Sequence, residues 1–374
     1  MTTSTVGGSA TFDAAKIVRE VVRAIPTYVP PKPAVGTPTR RIKLDMNESP
    51  FGPSPKTREA LASYAETNRY PDFAQTELRE ALARYTGMPA EQIVCGAGLD
   101  DVLNTLAHLI IDDGDEAIIH EPTFGVYQPM ISLHGGRVNN APLGDGFALD
   151  PDRVLAAVTP RTKLIIICTP NNPTGNLLDP AAVERVVAGA PCVVAIDEAY
   201  SEFAGVSNLP LMTKYPNVVI LRTLSKFAGL AGLRVGYGVF PAALMQYARP
   251  VVPPFFNISQ VSALAATAAL DDLPHLMENV KRIVAAREAL ANDLRSIPGV
   301  EPLPSATNFI LVRLPVEDAL PVVHELARRG VYVRHFGRPE LGLRDCLRVT
   351  VGLPEENAIF VEELRAILSD AGRS

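Results

Sequence analysis

Between about residues 93 and 262 the chain alternates short apolar runs with amphipathic stretches. The runs IVC, EAIIH, KLIIIC, CVVAI and NVVIL carry β-branched residues in succession without polar alternation, so each reads as a strand buried on both faces. Between them, spacings such as Leu99, Val102, Leu103, Leu106 and Ile110 mark helices. Buried strands separated by helices predict an α/β domain built on a largely parallel sheet. Past residue 262 the texture changes: a helical stretch over 275–294 precedes NFILVRL, a helix over 317–329, then VYVRHF, CLRVTVG and a closing helix. Mixed strands of this kind predict a smaller α+β lobe.

Upstream, helical spacing covers 12–24, 56–65 and 75–85. The segment IPTYVPPKPAVGTPTR holds five prolines and one glycine, which neither a helix nor a central strand accommodates, so it reads as an extended arm. The expected organisation is an N-terminal helix and arm over 1–45, a large domain over 46–262 and a small domain over 263–374. A chain of 374 residues is long enough for two such lobes.

Composition narrows the function classes. The chain is 47% hydrophobic and 20% charged with a formal net charge of −6, and no Lys/Arg stripe stands out, which argues against nucleic acid as a partner. Three of the four cysteines, Cys95, Cys168 and Cys192, lie in apolar runs; no CxxC, HExxH or HxxxH occurs, so no metal site is expected. The first residues lack the basic and apolar regions of a signal peptide, and no apolar run is long enough to span a bilayer. A cytoplasmic protein without membrane attachment is expected.

Chemically able residues follow one buried strand after another: the segment 96–101, then Phe124, Asn172, Asp197, Tyr200 and Lys226. In open α/β sheets the carboxyl ends of strands form the ligand crevice, so residues scattered over more than a hundred positions converge on one rim. A lysine, a carboxylate, a phenol, an amide and an anion cradle together match the needs of pyridoxal 5′-phosphate. Lys226 would hold it as an imine and move the substrate's α-proton. Asp197 would pair with the pyridine nitrogen, although a carboxylate there could also cap a helix. Tyr200 would donate to the ring's phenolic oxygen. GAGLDD, residues 96–101, fits a phosphate cradle, with Gly98 letting the backbone approach and helix N–H groups facing the anion. Arg234 and Thr223 would complete it.

NNPTG, DEAYSEF and RTLSKFAGLAGLRVGY resemble the fold-type I aminotransferases of class I/II, and within them the histidinol-phosphate branch. IPTYVPPKP, LDMNESPFGP, NRYP and LRVTVG extend the resemblance over nearly the whole chain. It implies a large domain with a mostly parallel sheet flanked by helices, a smaller α+β C-terminal domain, and pyridoxal 5′-phosphate as cofactor. It further implies catalytic roles for Lys226, Asp197 and Tyr200, with Asn172 beside Tyr200 at the phenolic oxygen and Phe124 stacked on the ring. Gly98, Leu99, Asp100, Thr223, Ser225 and Arg234 would surround the phosphate, and Tyr70 would reach it from the partner subunit of a homodimer. Tyr28, Asn47, Arg334 and Arg348 would bind substrate.

The implied reaction is reversible amino transfer between L-histidinol phosphate and 2-oxoglutarate, in histidine biosynthesis. Aromatic amino-acid transamination and threonine-phosphate decarboxylation are alternatives on the same fold. Two departures stand out: Leu99-Asp100-Asp101 replaces the usual Ser-Asp-Glu, removing a side-chain hydroxyl near the phosphate, and Phe-Ala follows Lys226 where Ala-Phe is commoner. A cofactor-sensing regulator would need an added DNA-binding module, for which the first forty residues are too short. A dinucleotide oxidoreductase lacks its third glycine, because Asp101 stands there.

Overall fold

The structure, a computed structural model, describes residues 14, 17–24, 41–248 and 256–371. Along the chain the helix Glu20–Ala24 (α1) and strand Ile42–Lys43 (β1) lead to two helices, Pro55–Ser63 (α2) and Thr76–Thr86 (α3). The alternating region then follows as Ile93–Ala97 (β2), Leu99–Ile110 (α4), Glu116–Ile119 (β3), Tyr127–Leu133 (α5), Arg137–Asn140 (β4), Pro151–Ala156 (α6), Thr162–Cys168 (β5) and Pro180–Gly189 (α7). It continues with Val193–Asp197 (β6), Ser201–Ala204 (α8), Val218–Thr223 (β7), Val235–Val239 (β8) and Ala242–Ala248 (α9). Two helices, Gln260–Leu270 (α10) and Leu273–Arg295 (α11), connect to Glu301–Pro302 (β9), Phe309–Arg313 (β10), Leu320–Arg328 (α12), Val331–Tyr332 (β11), Arg334–His335 (β12), Cys346–Thr350 (β13) and Pro354–Ala371 (α13).

Seven strands form the main sheet in the order β2-β8-β7-β6-β5-β3-β4. All run parallel except β8, which is antiparallel to both neighbours. Every residue of β3, β7 and β8 is buried, as the unbroken apolar runs of β3 and β7 predict. The fold class is therefore as the pattern implied. Two strands of this sheet are not shown by the pattern: the edge strand β4, RVNN, has a single apolar residue, and β8, VGYGV, carries glycines at alternate positions that read as loop. Gly236 is required there: a Cβ at this position would overlap the Leu99 backbone nitrogen.

A four-stranded sheet of order β12-β13-β10-β9 is antiparallel throughout and forms the C-terminal layer. The short strand β1 pairs in parallel with β11, so the segment preceding α2 is anchored to C-terminal elements. Helix starts carry the expected signals. Ser54, Asp150 and Asp179 each cap the N–H groups of the helix that opens with the following proline. Of the helix expected over 12–24, the described residues are α-helical only in α1, with Ala14 in a 3-10 turn. Ile17 and Val18 lie in a turn and are exposed, so their apolar spacing has no core to face. No helix among the described residues is long and apolar enough to cross a membrane.

One buried ion pair fixes the loop beyond β6. Arg222 on β7 donates to Glu198 through Nε at 2.9 Å and a terminal nitrogen at 2.7 Å. Glu198 also accepts from the backbone and side chain of Asn208, so its oxygens are fully used. Removing the arginine leaves Glu198 charged and desolvated, a class of change that costs about 3–5 kcal/mol. Arg222→Met is expected to lower the urea midpoint accordingly, as followed by circular dichroism; an unchanged midpoint would show that the pair contributes nothing.

Candidate active site

The carboxyl ends of β2, β3, β5, β6 and β7 lie along one rim, and antiparallel β8 brings its first residue there too. This is why Arg234, immediately before β8, meets residues that follow parallel strands. Its guanidinium pairs with Asp100 at 3.1 Å and covers Gly98, where a Cβ would overlap it. Gly98 has φ +87°, a conformation open to glycine, and it caps α4 so that the helix's first N–H groups face the gap. Asp101 turns back to accept from the Ala97 N–H at 2.8 Å, which fixes this loop. Thr223 and Ser225 share a hydroxyl–hydroxyl bond at 2.9 Å on the next strand end. A glycine, a helix start, two hydroxyls and an arginine are donor types suited to a phosphate. The Leu99 side chain packs into the core beside Val102 and Leu103, so the missing hydroxyl at this position leaves only backbone donors.

Beside the cradle stands Lys226. Burial, reinforced by the positive charge of Arg348, pushes its pKa down to about 8, and its Nζ donates to the Met46 carbonyl at 3.0 Å. At the end of β6 Asp197 is almost wholly buried. One oxygen accepts from the Ala199 N–H at 3.0 Å and the other from the Tyr127 hydroxyl at 2.6 Å. It does not cap a helix; the residue at the start of α8 is Tyr200. Burial lifts the Asp197 pKa to about 6 despite those two donors.

Tyr200 is buried edge-on against Phe309, and its oxygen accepts from Asn47 Nδ2 at 2.9 Å. Asn172 gives its carbonyl oxygen to Arg348 at 2.6 Å. Arg348 donates as well to the Asp45 carbonyl at 2.6 Å and lies 5.2 Å from the Phe309 ring centroid. Arg334 sits directly across from Arg348 in the β12–β13 ladder, so both side chains leave the same face of the small sheet. Asn47 has φ +53° and is held through its backbone and side chain by Thr350, at 2.9 and 3.2 Å.

Among the expected site residues, Gly98, Leu99, Asp100, Asn172, Asp197, Tyr200, Thr223, Ser225, Lys226 and Arg234 collect at this rim, with Phe124 on the loop after β3. Asn47 and Arg348 join them from the C-terminal side. Tyr70 stands on the surface, 85% exposed and stacked on Phe256. Tyr28 lies outside the described residues. Sequence reasoning passed over Tyr127, although it lies three residues after Phe124 in the same motif, one helical turn away. It also passed over Thr350, Asn308 and the Met46 carbonyl. A backbone acceptor leaves no trace in residue type.

Residues 39–364 match the family model described as aminotransferase class I and II. The chain belongs to this family. Among curated relatives, the histidinol-phosphate aminotransferase of Roseiflexus castenholzii is 40% identical over 94% of this chain and 98% of its own length. Histidinol-phosphate aminotransferase 1 of Archaeoglobus fulgidus is 42% identical over 87% of this chain and 99% of the relative. The crystal structure of histidinol-phosphate aminotransferase from Sinorhizobium meliloti, in complex with pyridoxal-5′-phosphate, superposes with a TM-score of 0.82 at 26% identity, covering 97% of this chain and 99% of the other. An aminotransferase of this family thus explains why the polar groups cluster at the strand ends.

Asp197 gives a stability test. Its folded pKa of about 6 lies above the ordinary 3.8. The folded chain therefore keeps a proton that the unfolded chain loses, and stability falls as pH rises through that window. Above it the cost reaches about 3 kcal/mol, at 1.36 kcal/mol per unit. Cofactor-free Asp197→Asn is expected to melt higher than the parent at pH 8, with the difference closing below about pH 4. Equal melting at both pH values would refute a strained carboxylate.

Proposed function

We propose that the chain transfers an amino group reversibly between L-histidinol phosphate and 2-oxoglutarate, with pyridoxal 5′-phosphate held at the rim just described. The convergence of Lys226, Asp197 and the Gly98–Gly236 cradle, in a chain about 40% identical to curated histidinol-phosphate aminotransferases, carries this reading. The residues fit the cofactor: Arg234, the α4 N–H groups, Thr223 and Ser225 suit its phosphate, Asp197 its pyridine nitrogen and Phe124 its ring face. When bound, pyridoxal phosphate supplies a carbonyl carbon that takes up the amino group and a ring that accepts the electrons released at the substrate carbon.

The side chains divide the remaining work. With its pKa near 8, Lys226 is partly neutral at physiological pH, so it serves first as a nucleophile and then as the carrier of the substrate proton. The Tyr200 oxygen already accepts from Asn47, which leaves its hydrogen to donate elsewhere. Likewise the Asn172 carbonyl is taken by Arg348, leaving its amide hydrogens as donors. Both suit a phenolic oxygen. Arg348 binds the carboxylate of the amino donor, while Arg334 across the ladder meets the phosphate of histidinol phosphate, together with Tyr28. A large lobe over 46–262 would carry the cofactor and a small lobe over 263–374 the two arginines; the boundary falls within α10.

A homodimer belongs to the same proposal. Tyr70, Phe73 and Phe256 form an exposed aromatic cluster, with Tyr70 stacked at 4.9 Å and Phe73 edge-on at 5.8 Å against Phe256. A second copy would cover this cluster and receive Tyr70 at its own cradle.

Lys226→Ala is expected to abolish turnover and covalent capture of the cofactor; an active variant with full visible absorbance would sink the assignment. Substrate choice is tested by comparing rates on histidinol phosphate, phenylalanine and threonine phosphate. Histidinol phosphate is expected to have the highest kcat/KM, and Arg334→Ala to reduce it about tenfold or more for that substrate while leaving the single-turnover half-reaction with glutamate nearly intact. Faster turnover of phenylalanine, or decarboxylation of threonine phosphate, would replace the substrate reading.

A further inference from the structure

Tyr127 is fully buried in the first turn of α5, yet it carries a hydroxyl. That hydroxyl lies 2.6 Å from Asp197 Oδ2, and its ring meets Phe124 edge-on with centroids 5.6 Å apart. A hydroxyl has a single hydrogen, and an ionised carboxylate can only accept, so the direction of the bond follows: tyrosine donates and aspartate accepts. The other carboxylate oxygen takes the Ala199 N–H. Phe124 follows β3 and Asp197 ends β6, and Tyr127 touches both.

We propose that Tyr127 is a positioning residue for the cofactor site: its hydrogen bond keeps Asp197 ionised and aimed, so that the carboxylate can hold a protonated pyridine nitrogen. The inference rests on the cofactor reading given above.

The surroundings show why such a donor is needed. Desolvation pushes the Asp197 carboxyl upward, and the carboxylates of Asp100 on α4 and Glu198 next in sequence push the same way. Cys168, its cross-strand neighbour on β5, stays a thiol because burial raises its pKa. His120, after β3, stays neutral because burial lowers its pKa to about 4, and it is engaged in accepting from the Cys168 N–H. Tyr200 also stays protonated through burial. Against these, Tyr127 and the Ala199 N–H are the donors that favour the anion. Without the hydroxyl, Asp197 would retain its proton further into the neutral range. A neutral carboxyl group cannot balance a pyridinium.

The test is a double-mutant cycle on cofactor affinity, with full-length protein stripped of cofactor and titrated with pyridoxal phosphate over pH 6 to 9. Hydrogen bonds to charged groups are worth about 1.5–3 kcal/mol, so Tyr127→Phe is expected to weaken binding roughly ten- to a hundredfold. The loss should be largest at the acid end, where Asp197 is neutralised first. In an Asp197→Asn background the same substitution should change affinity less than about threefold. Melting of the cofactor-free single variant checks that it folds. Equal losses in both backgrounds, or a loss independent of pH, would mean that Tyr127 only fills space and would overturn the inference. Failure of the parent protein itself to bind pyridoxal phosphate would instead overturn the cofactor reading.

Discussion

A carboxylate buried at the end of a central strand is the constraint around which this molecule is arranged. Asp197 continues β6 into the rim, where its neighbours are two apolar layers and the backs of adjacent strands. Water cannot reach it, and an isolated charge in such a place is unstable. The chain answers with donors drawn from two segments: a backbone N–H two residues on and a phenol from the loop beyond β3. These leave the carboxyl group suspended between its two protonation states near neutral pH. A positively charged ring nitrogen would resolve the tension, so the empty fold is less stable than the loaded one. The same economy governs Lys226, whose amine is desolvated by the same walls and held against a carbonyl until a reactive partner arrives.

The large sheet was legible because strands buried on both faces leave a compositional record: no polar residue interrupts β3 or β7 apart from those at their ends. The residues after those strands were legible for the same reason, since a lysine or aspartate directly after an apolar run is chemically conspicuous. β8 was illegible because the close approach of the Gly98–Leu99 backbone demands glycine, and glycine lowers every strand signal. The two-residue strands β1 and β9 are too short for any period to register, whereas β11 and β12 both fall within the run VYVRHF that reads as strand.

Within the site the division is similar. Lys226, Asp197 and Arg234 announce themselves by type, whereas Tyr127 looks like one more aromatic on an apolar helical face. Its hydroxyl acquires meaning only when α5 is folded against β6. Arg222 and Glu198 are another such case: the sequence shows two charges 24 residues apart, and only the adjacency of β6 and β7 makes them a buried pair. Asn47 was singled out for substrate, and the fold adds a second task by setting its amide on the Tyr200 oxygen.

The pairing of β1 with β11 has a mechanical meaning. Three residues after Lys43 the chain presents the Met46 carbonyl to Lys226, and one residue later the Asn47 amide to Tyr200. Asn47 is in turn strapped to Thr350 on β13 and to Asn308, which immediately precedes β10. The segment over 42–47 is thus a drawbar: hitched to β11 at one end and to Thr350 of β13 at the other, it presents a carbonyl to the reactive amine and an amide to the phenol. A displacement of β11 would reach the Lys226 amine through main chain alone, whereas the Tyr200 phenol is reached through the Asn47 side chain.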